Sequence, residues 1–407
     1  MNCTNCGKTL ADGSMFCNYC GAKQIIRKVC SECGTELPTD AMFCHVCGTK
    51  VTGEVNLAKR TDETPWSSFE IEKRGKHTIL KKFIGDEADV VIPHGITQIG
   101  DEAFSGCETI NSVVIPDSVT YIGDNSFRNC SVSSVVIPDS VLYIGAHSFD
   151  DSSLVAIEIP NSVKCINDGA FAGTQISSMV IPDSVTYLGN VAFHSCERLV
   201  TVVLSNNIKY LNKAIFYGCS NLTNVTIPNK VTSIGDSAFS GCSNLSSIEI
   251  PNGVDSIGEY AFCNCDSLTS VDIPDSVNYI AEAAFMNCSS LTSVKLPESI
   301  SYIENEMFFG CENLDISIPD SVTGIGNEAF YGCNNLLCVF LPHNTTSIGY
   351  QAFMDCSYLQ DIYLSSNVND IAPDAFLHCE HNITFHVPDD SYALKYAIDN
   401  DIPYIIE

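Results

Sequence analysis

Phenylalanine recurs along this chain at a fixed interval, and that interval decides the architecture. Thirteen of the 20 phenylalanines, from Phe104, Phe127 and Phe149 through Phe239 to Phe353 and Phe376, follow one another every 22 or 23 residues. A proline, or at two places a serine, stands eleven residues before each. Self-similarity at such a period outranks any local propensity, because each repeat is one supersecondary unit that cannot bury its apolar face alone.

The stretch Leu222–Leu245 shows what one unit does. Leu222, Val225 and Ile227 alternate as an inward strand face with Thr226 outward. Pro228 lacks an N–H and closes the strand, and Asn229, an Asp in many copies, favours an Asx-turn. Val231 and Ile234 return to the core, and Gly235 permits a tight corner. Ala238 and Phe239 then insert from a short helical turn, followed by the small apolar Cys242. Coils stacked about 4.8 Å apart would bury these faces and join their strands in parallel. The expected fold is a β-rich α/β solenoid of about 13 repeats.

These motifs, IPDSVTYIGDNSF (Ile115–Phe127) and IPNKVTSIGDSAFSGC (Ile227–Cys242), resemble the BspA-type leucine-rich repeats. VPDDSYALKYAIDNDIPYIIE resembles that family's usual ending, with Tyr392, Ala393, Tyr396 and Ala397 on one face of a capping helix. The resemblance implies a leucine-rich-repeat solenoid that binds partners without catalysis, often at a cell surface or secreted.

The first fifty residues follow a different rule. Cys3, Cys6, Cys17 and Cys20 read as two CxxC pairs, and Cys30, Cys33, Cys44 and Cys47 repeat them 27 positions on. Four thiolates in close pairs suit a tetrahedral, borderline-soft ion such as zinc, with iron in a rubredoxin-like site or redox-active pairs as rivals. Each unit has too little apolar surface to fold unaided, so metal binding, worth about 10–16 kcal/mol in small zinc peptides, must supply the difference. His45 falls inside a knuckle whose four sulfurs already suffice. Cys3–Gly48 resembles double zinc-ribbon modules, which implies two structural zinc ions with every coordination position filled by sulfur.

The resulting organisation is a zinc ribbon at 1–22, a second at 28–50, a flexible linker at 51–67, an N-terminal cap at 68–92, repeats at 93–383 and a C-terminal cap with a short helix at 384–407. In the cap, Phe69–Glu72 and Thr78–Ile84 alternate as short strands.

Charge narrows the choice of partner. The chain carries −29, yet residues 1–60 hold 7 Lys and Arg against 5 Asp and Glu, so the rest carries −31. A domain that acidic repels nucleic acid and anionic membrane, which leaves a nucleic-acid adaptor resting on the ribbons alone. The opening residues predict no secretory leader, and no apolar run is long enough for a membrane span. Together with cysteines in metal-like and repeat-like patterns, this predicts a cytoplasmic location, with the cell surface as the alternative.

Most chemistry-bearing residues are repeat positions. Eleven cysteines from Cys107 to Cys379 form one ladder in which Ser152 and Thr174 stand in at two copies, as expected of a small buried group. The turn acids, Asp117 and Asp183 among them, interchange with Asn, which turn-making explains as well as calcium would. His378, Cys379, Glu380, His381 and His386 are metal-type ligands, but Cys379 should face inward. No nucleophile elbow, phosphate loop or dinucleotide fingerprint is present, and neither an enzyme nor a small-molecule substrate is expected. Function falls to the outward strand residues, which start apolar, turn acidic and end aromatic. Val180 and Val203, then Glu249 and Asp272, and above all Phe340 and Tyr363 are the candidate contacts for a protein partner, while Lys295 and His386 continue the row.

Overall fold

A computed structural model describes residues 28–29, 36–37, 63–379 and 383–407. The chain divides into two compact units, Met1–Lys59 and Arg60–Glu407. In the first, the strand Lys28–Val29 pairs antiparallel with Glu36–Leu37, bracketing the segment that carries Cys30 and Cys33. The eight ribbon cysteines and His45 lie outside the described residues.

The second unit is a β-solenoid of about 14 turns with little helix. Each regular coil has three sides. The first is a short strand such as Asn224–Thr226, with Val225 buried between two exposed neighbours. A turn follows, in which Val231 N–H donates to Pro228 O at 2.9 Å. The second side is a two-residue strand such as Ser233–Ile234, paired in parallel with Tyr210–Leu211 and Ser256–Ile257. This second ladder was not expected: the sequence marked Ile234 as core without assigning it a strand.

The third side carries the phenylalanine. A short helical turn was the expectation, and the structure has a bonded turn instead. Two residues before the phenylalanine the backbone is left-handed, at Ser237 (φ 54) and Tyr260 (φ 55) for example, so right-handed helix cannot propagate. The freed amides point along the solenoid: Phe239 N–H donates to Ala261 O at 2.8 Å and Gly241 N–H to Cys263 O at 2.8 Å. The corner thereby forms a third inter-coil ladder. Close approach constrains it, since a Cβ on Gly235 would come within 2.8 Å of Leu211 O.

The core runs the whole length of this unit. Phe104 to Phe376 form one column of stacked rings, with neighbouring centroids 4.8–5.8 Å apart. Phe83 extends the column at one end, and Phe385 meets Phe376 edge-on at the other. Offset ring stacking adds to the area term, at about 0.5–1.5 kcal/mol per aromatic pair.

Both ends are capped. The strands Phe69–Arg74 and His77–Phe83 form an antiparallel hairpin whose second member pairs in parallel with Gln98–Ile99. Glu63 and Thr64, within the segment read as linker, bond to this end: Val91 N–H donates to Thr64 Oγ1 at 3.0 Å and His94 N–H to Glu63 Oε1 at 2.8 Å. At the other end lies the helix Tyr392–Asp399, N-capped by Ser391, whose hydroxyl accepts from Leu394 N–H at 3.1 Å. Ala393, Tyr396 and Ala397 are buried as expected, whereas Tyr392 is exposed because it occupies the first helical position, outside the packed stripe. A closing strand, Tyr404–Ile406, then pairs with Thr384–Val387.

Candidate partner-binding face

The outward residues of the first strand ladder form a face, but not a continuous one. That ladder is broken into four sheets, with breaks after residues 157, 226 and 295. Val180 and Val203 sit in register with Thr226 in one sheet, each half-buried by its neighbours. Glu249 is exposed on a coil whose first side forms no strand. Asp272 is in register with Lys295 and meets its Nζ at 3.5 Å. That pair is almost fully solvated, so it contributes little stability.

Phe340 and Tyr363 differ from the rest. They are in register on adjacent strands, with ring centroids 4.3 Å apart. Phe340 is 63% exposed. A phenyl ring left that bare on a sheet face gains nothing from the core, and water offers no compensation for it.

His386, expected as the last outward position, is instead covered. Its ring stacks on Tyr363 at 4.0 Å, and the closing strand brings Glu407 over it. Nδ1 lies 2.9 Å from Glu407 Oε1 and Nε2 lies 2.8 Å from Asp361 Oδ1. Burial alone would lower the His386 pKa, but the two carboxylates outweigh it and hold the imidazole above its ordinary value.

The metal-type cluster around Cys379 does not assemble among the described residues. Cys379 donates to Phe353 O, His378 pairs with Asp355 at 2.7 Å, and His386 is engaged as above. Glu380 and His381 lie outside the described residues. Along the cysteine ladder one hydrogen bond recurs. Each thiol from Cys196 to Cys379 donates to the carbonyl of the phenylalanine one coil earlier, as Cys242 Sγ does to Phe216 O at 3.2 Å. Thr174, standing in for a cysteine, donates to Phe171 O at 2.8 Å. Burial pushes the ladder's Cys130 up to about 12 and Cys263, beside the ladder, up to about 11, which favours the neutral thiol over the thiolate at both.

A second exposed row escaped the sequence reading. Tyr143, Tyr187, Tyr210, Tyr279 and Tyr302 precede the inward residue of the second strand and stand on its outer side, each at least 37% exposed. The recurring Tyr-Ile-Gly and Tyr-Leu pairs were its signal.

The three-sided coil, stacked in parallel and lined by aliphatic residues, defines a leucine-rich-repeat solenoid. A family model for the BspA type leucine rich repeat region matches residues 87–200, 186–315 and 278–399, and one for the double zinc ribbon matches residues 3–48. The chain belongs to the BspA-type leucine-rich-repeat family and carries an N-terminal double zinc ribbon. A leucine-rich repeat protein from Bacteroides ovatus is similar in structure, with 27% identity and a TM-score of 0.70 over 83% of this chain and 97% of that one. A leucine rich cell surface protein from Faecalibacterium prausnitzii shares 31% identity over 76% of this chain and 93% of its own, with a TM-score of 0.52. A leucine-rich repeat protein from Eubacterium ventriosum, at 23% identity and a TM-score of 0.54 over 74% of this chain and 88% of that one, shares the fold. No curated protein matches. Leucine-rich-repeat proteins mediate protein interactions, and no described helix is long and apolar enough to cross a membrane.

Proposed function

We propose that this chain is a non-enzymatic scaffold that holds a protein partner on the outward face of its first strand ladder. The observation that carries this reading is the Phe340–Tyr363 stack, exposed on a sheet whose interior is already filled. Val180 and Val203 supply a second apolar contact, and Glu249 and Asp272 the acidic middle. An affinity pull-down with the full chain tests it: Phe340→Ala/Tyr363→Ala should lose the partner while keeping the native melting transition. Equal capture by both chains would sink the assignment.

In the same reading the ribbons at 1–22 and 28–50 are a second docking module, joined by the linker at 51–67. Cys3, Cys6, Cys17 and Cys20 would hold one zinc ion and Cys30, Cys33, Cys44 and Cys47 the other, a donor set whose chemistry fits a closed structural site. Elemental analysis of the full chain should return two zinc per chain and one for Cys30→Ser/Cys33→Ser. Iron, or fewer than two ions in the reduced parent, argues against it.

A core lined with free, mostly buried thiols suits a reducing compartment, which supports a cytoplasmic location. The cell-surface relative from Faecalibacterium prausnitzii favours a second reading, an adhesin exported to the surface. Fractionation separates them, since recovery in the cytoplasm alone removes the adhesin.

A further inference from the structure

The first strand ladder is interrupted between Leu296 and Ile318, and a cleft opens there on the outward face. In several coils the residue after the strand donates to the next coil, as Ile273 N–H does to Lys295 O at 3.0 Å and Leu341 N–H to Tyr363 O at 3.1 Å. Among the described residues Leu296 and Ile318, like Ile159, Leu204, Ile227 and Ile250, make no such bond, and residues 315–318 pair with the neighbouring strand through the isolated Ser293–Asp315 bridge. The second ladder thins at the same level, where Ile303 and Ile325 form an isolated bridge. Ile316 and Ile318 occupy core positions yet are only half-buried, unlike Val294 and Val339 beside them. The resulting cleft has a volume of about 630 Å³. Four carboxylates line it, Asp272, Glu298, Asp315 and Asp320, against one cation, Lys295.

We infer that this cleft takes an extended, lysine- or arginine-bearing peptide segment of a partner protein, paired by its backbone to the interrupted rung. The inference rests on the sheet-face reading above and deepens it. Three features point to one occupant. Unpaired amides beside a strand are completed by another strand, which is how extended peptides add to sheets. The half-exposed Ile316 and Ile318 offer apolar contact to alternate side chains of such a segment. The excess of carboxylates, on a unit that is itself strongly acidic, selects a basic sequence and disfavours an acidic one. A basic side chain would also replace Lys295 as the partner of Asp272, at little cost because that pair is solvated.

The test uses the full chain and a labelled peptide alternating lysine and threonine, followed by fluorescence anisotropy. Binding should weaken with added salt. It should fall by about tenfold in Asp315→Lys/Asp320→Lys, as two reversed contacts imply. The milder Asp315→Asn/Asp320→Asn, useful if reversal harms folding, should weaken binding in the same direction. A peptide N-methylated at alternate positions should bind more weakly still, because the methyl groups keep its carbonyls from closing onto the unpaired amides. Equal binding of a glutamate–threonine peptide, or full binding by both variants, overturns the inference. So does a concentration-dependent dimer that the peptide dissolves, which would make a second copy the occupant. Phe340→Ala/Tyr363→Ala, assayed in parallel on the partner pull-down, keeps the two readings apart. Loss of the partner there without peptide binding here would discard the cleft and leave the sheet-face reading standing.

Discussion

The phenylalanine corner and the first strand ladder pass through the same coils, yet one is unbroken and the other falls into four pieces. Ring stacking runs from Phe83 through Phe104 to Phe376 without a gap. The outward ladder, by contrast, loses its pairing near residues 157, 226 and 295. The difference follows from what each side must satisfy. The corner buries one large ring per coil between two others, so any change of size is felt by both neighbours. The ladder keeps only its inward residues under that constraint. Its outward ones vary from valine to aspartate to phenylalanine with no cost to the interior. A repeat protein thus separates a frame of fixed shape from a surface free to specialise, and the breaks fall on the free side.

Truncating the column is the harshest way to break this contrast. Phe239→Ala removes a fully buried ring stacked on Phe216 and Phe262 and should cost about 3–5 kcal/mol. Because each coil contacts only its neighbours, the loss should appear in denaturant melts as a separate early transition of nearby coils. A single unshifted transition would show that the column is not what couples them. The thiol ladder comes next. Cys288 donates to Phe262 O at 3.1 Å from a fully buried site. Cys288→Val should cost about 0.5–1.5 kcal/mol by removing one of the two hydrogen bonds to that carbonyl, the other coming from Cys265 N–H at 3.2 Å, and Cys288→Ser less, since a hydroxyl can still donate. Valine matching serine in the same melts would remove the hydrogen bond as the reason for cysteine.

The frame was the legible part of the sequence. Periodicity of phenylalanine, proline and cysteine implied the coil, its stacking and the burial of the ladder cysteines, because those residues answer to constraints local to one repeat. What resisted reading depended on contacts between coils. Two-residue strands such as Ser233–Ile234 are too short to show alternation, so the second ladder and its tyrosine row went unseen. Two places before twelve of the thirteen repeat phenylalanines the backbone is left-handed, and only Gly169 among those residues is glycine, so composition did not betray the corner that replaces a helix. His386 was placed on the open face because the closing strand Tyr404–Ile406, which covers it, could not be located from its own three residues. Of the candidate contacts, Phe340 and Tyr363 were legible from register alone. The cleft was not, since Ile316 and Ile318 keep the repeat's residue types while losing its full burial.

Truncation on the other side of the comparison should barely register in stability. Phe340→Ala removes an exposed ring with one aromatic neighbour, Tyr363, and should cost no more than about 0.5–1.5 kcal/mol. Set against Phe239→Ala in the same melts, it measures how far frame and surface are decoupled. A loss approaching that of the buried ring would mean that Phe340 is structural and would weaken its claim as a contact.

The smallest effect tests where the surface ladder becomes frame again. His386 is held between Asp361 and Glu407, which keep its pKa above the ordinary value despite burial. A group whose folded pKa is raised contributes stability that is fully present below its unfolded pKa, about 6.5. That contribution is lost as pH rises through the folded value. Closure of the solenoid by Tyr404–Ile406 should therefore be tightest in mildly acidic solution and loosen as the imidazole loses its proton. Hydrogen exchange at the Tyr404–Ile406 amides, corrected for intrinsic rates and compared at about pH 6 and pH 8, reads this directly. Protection should fall at the higher pH, and His386→Gln should abolish the difference. Protection that is flat with pH, or a pH response that survives in His386→Gln, would mean that pairing with Thr384–Val387 alone closes the array.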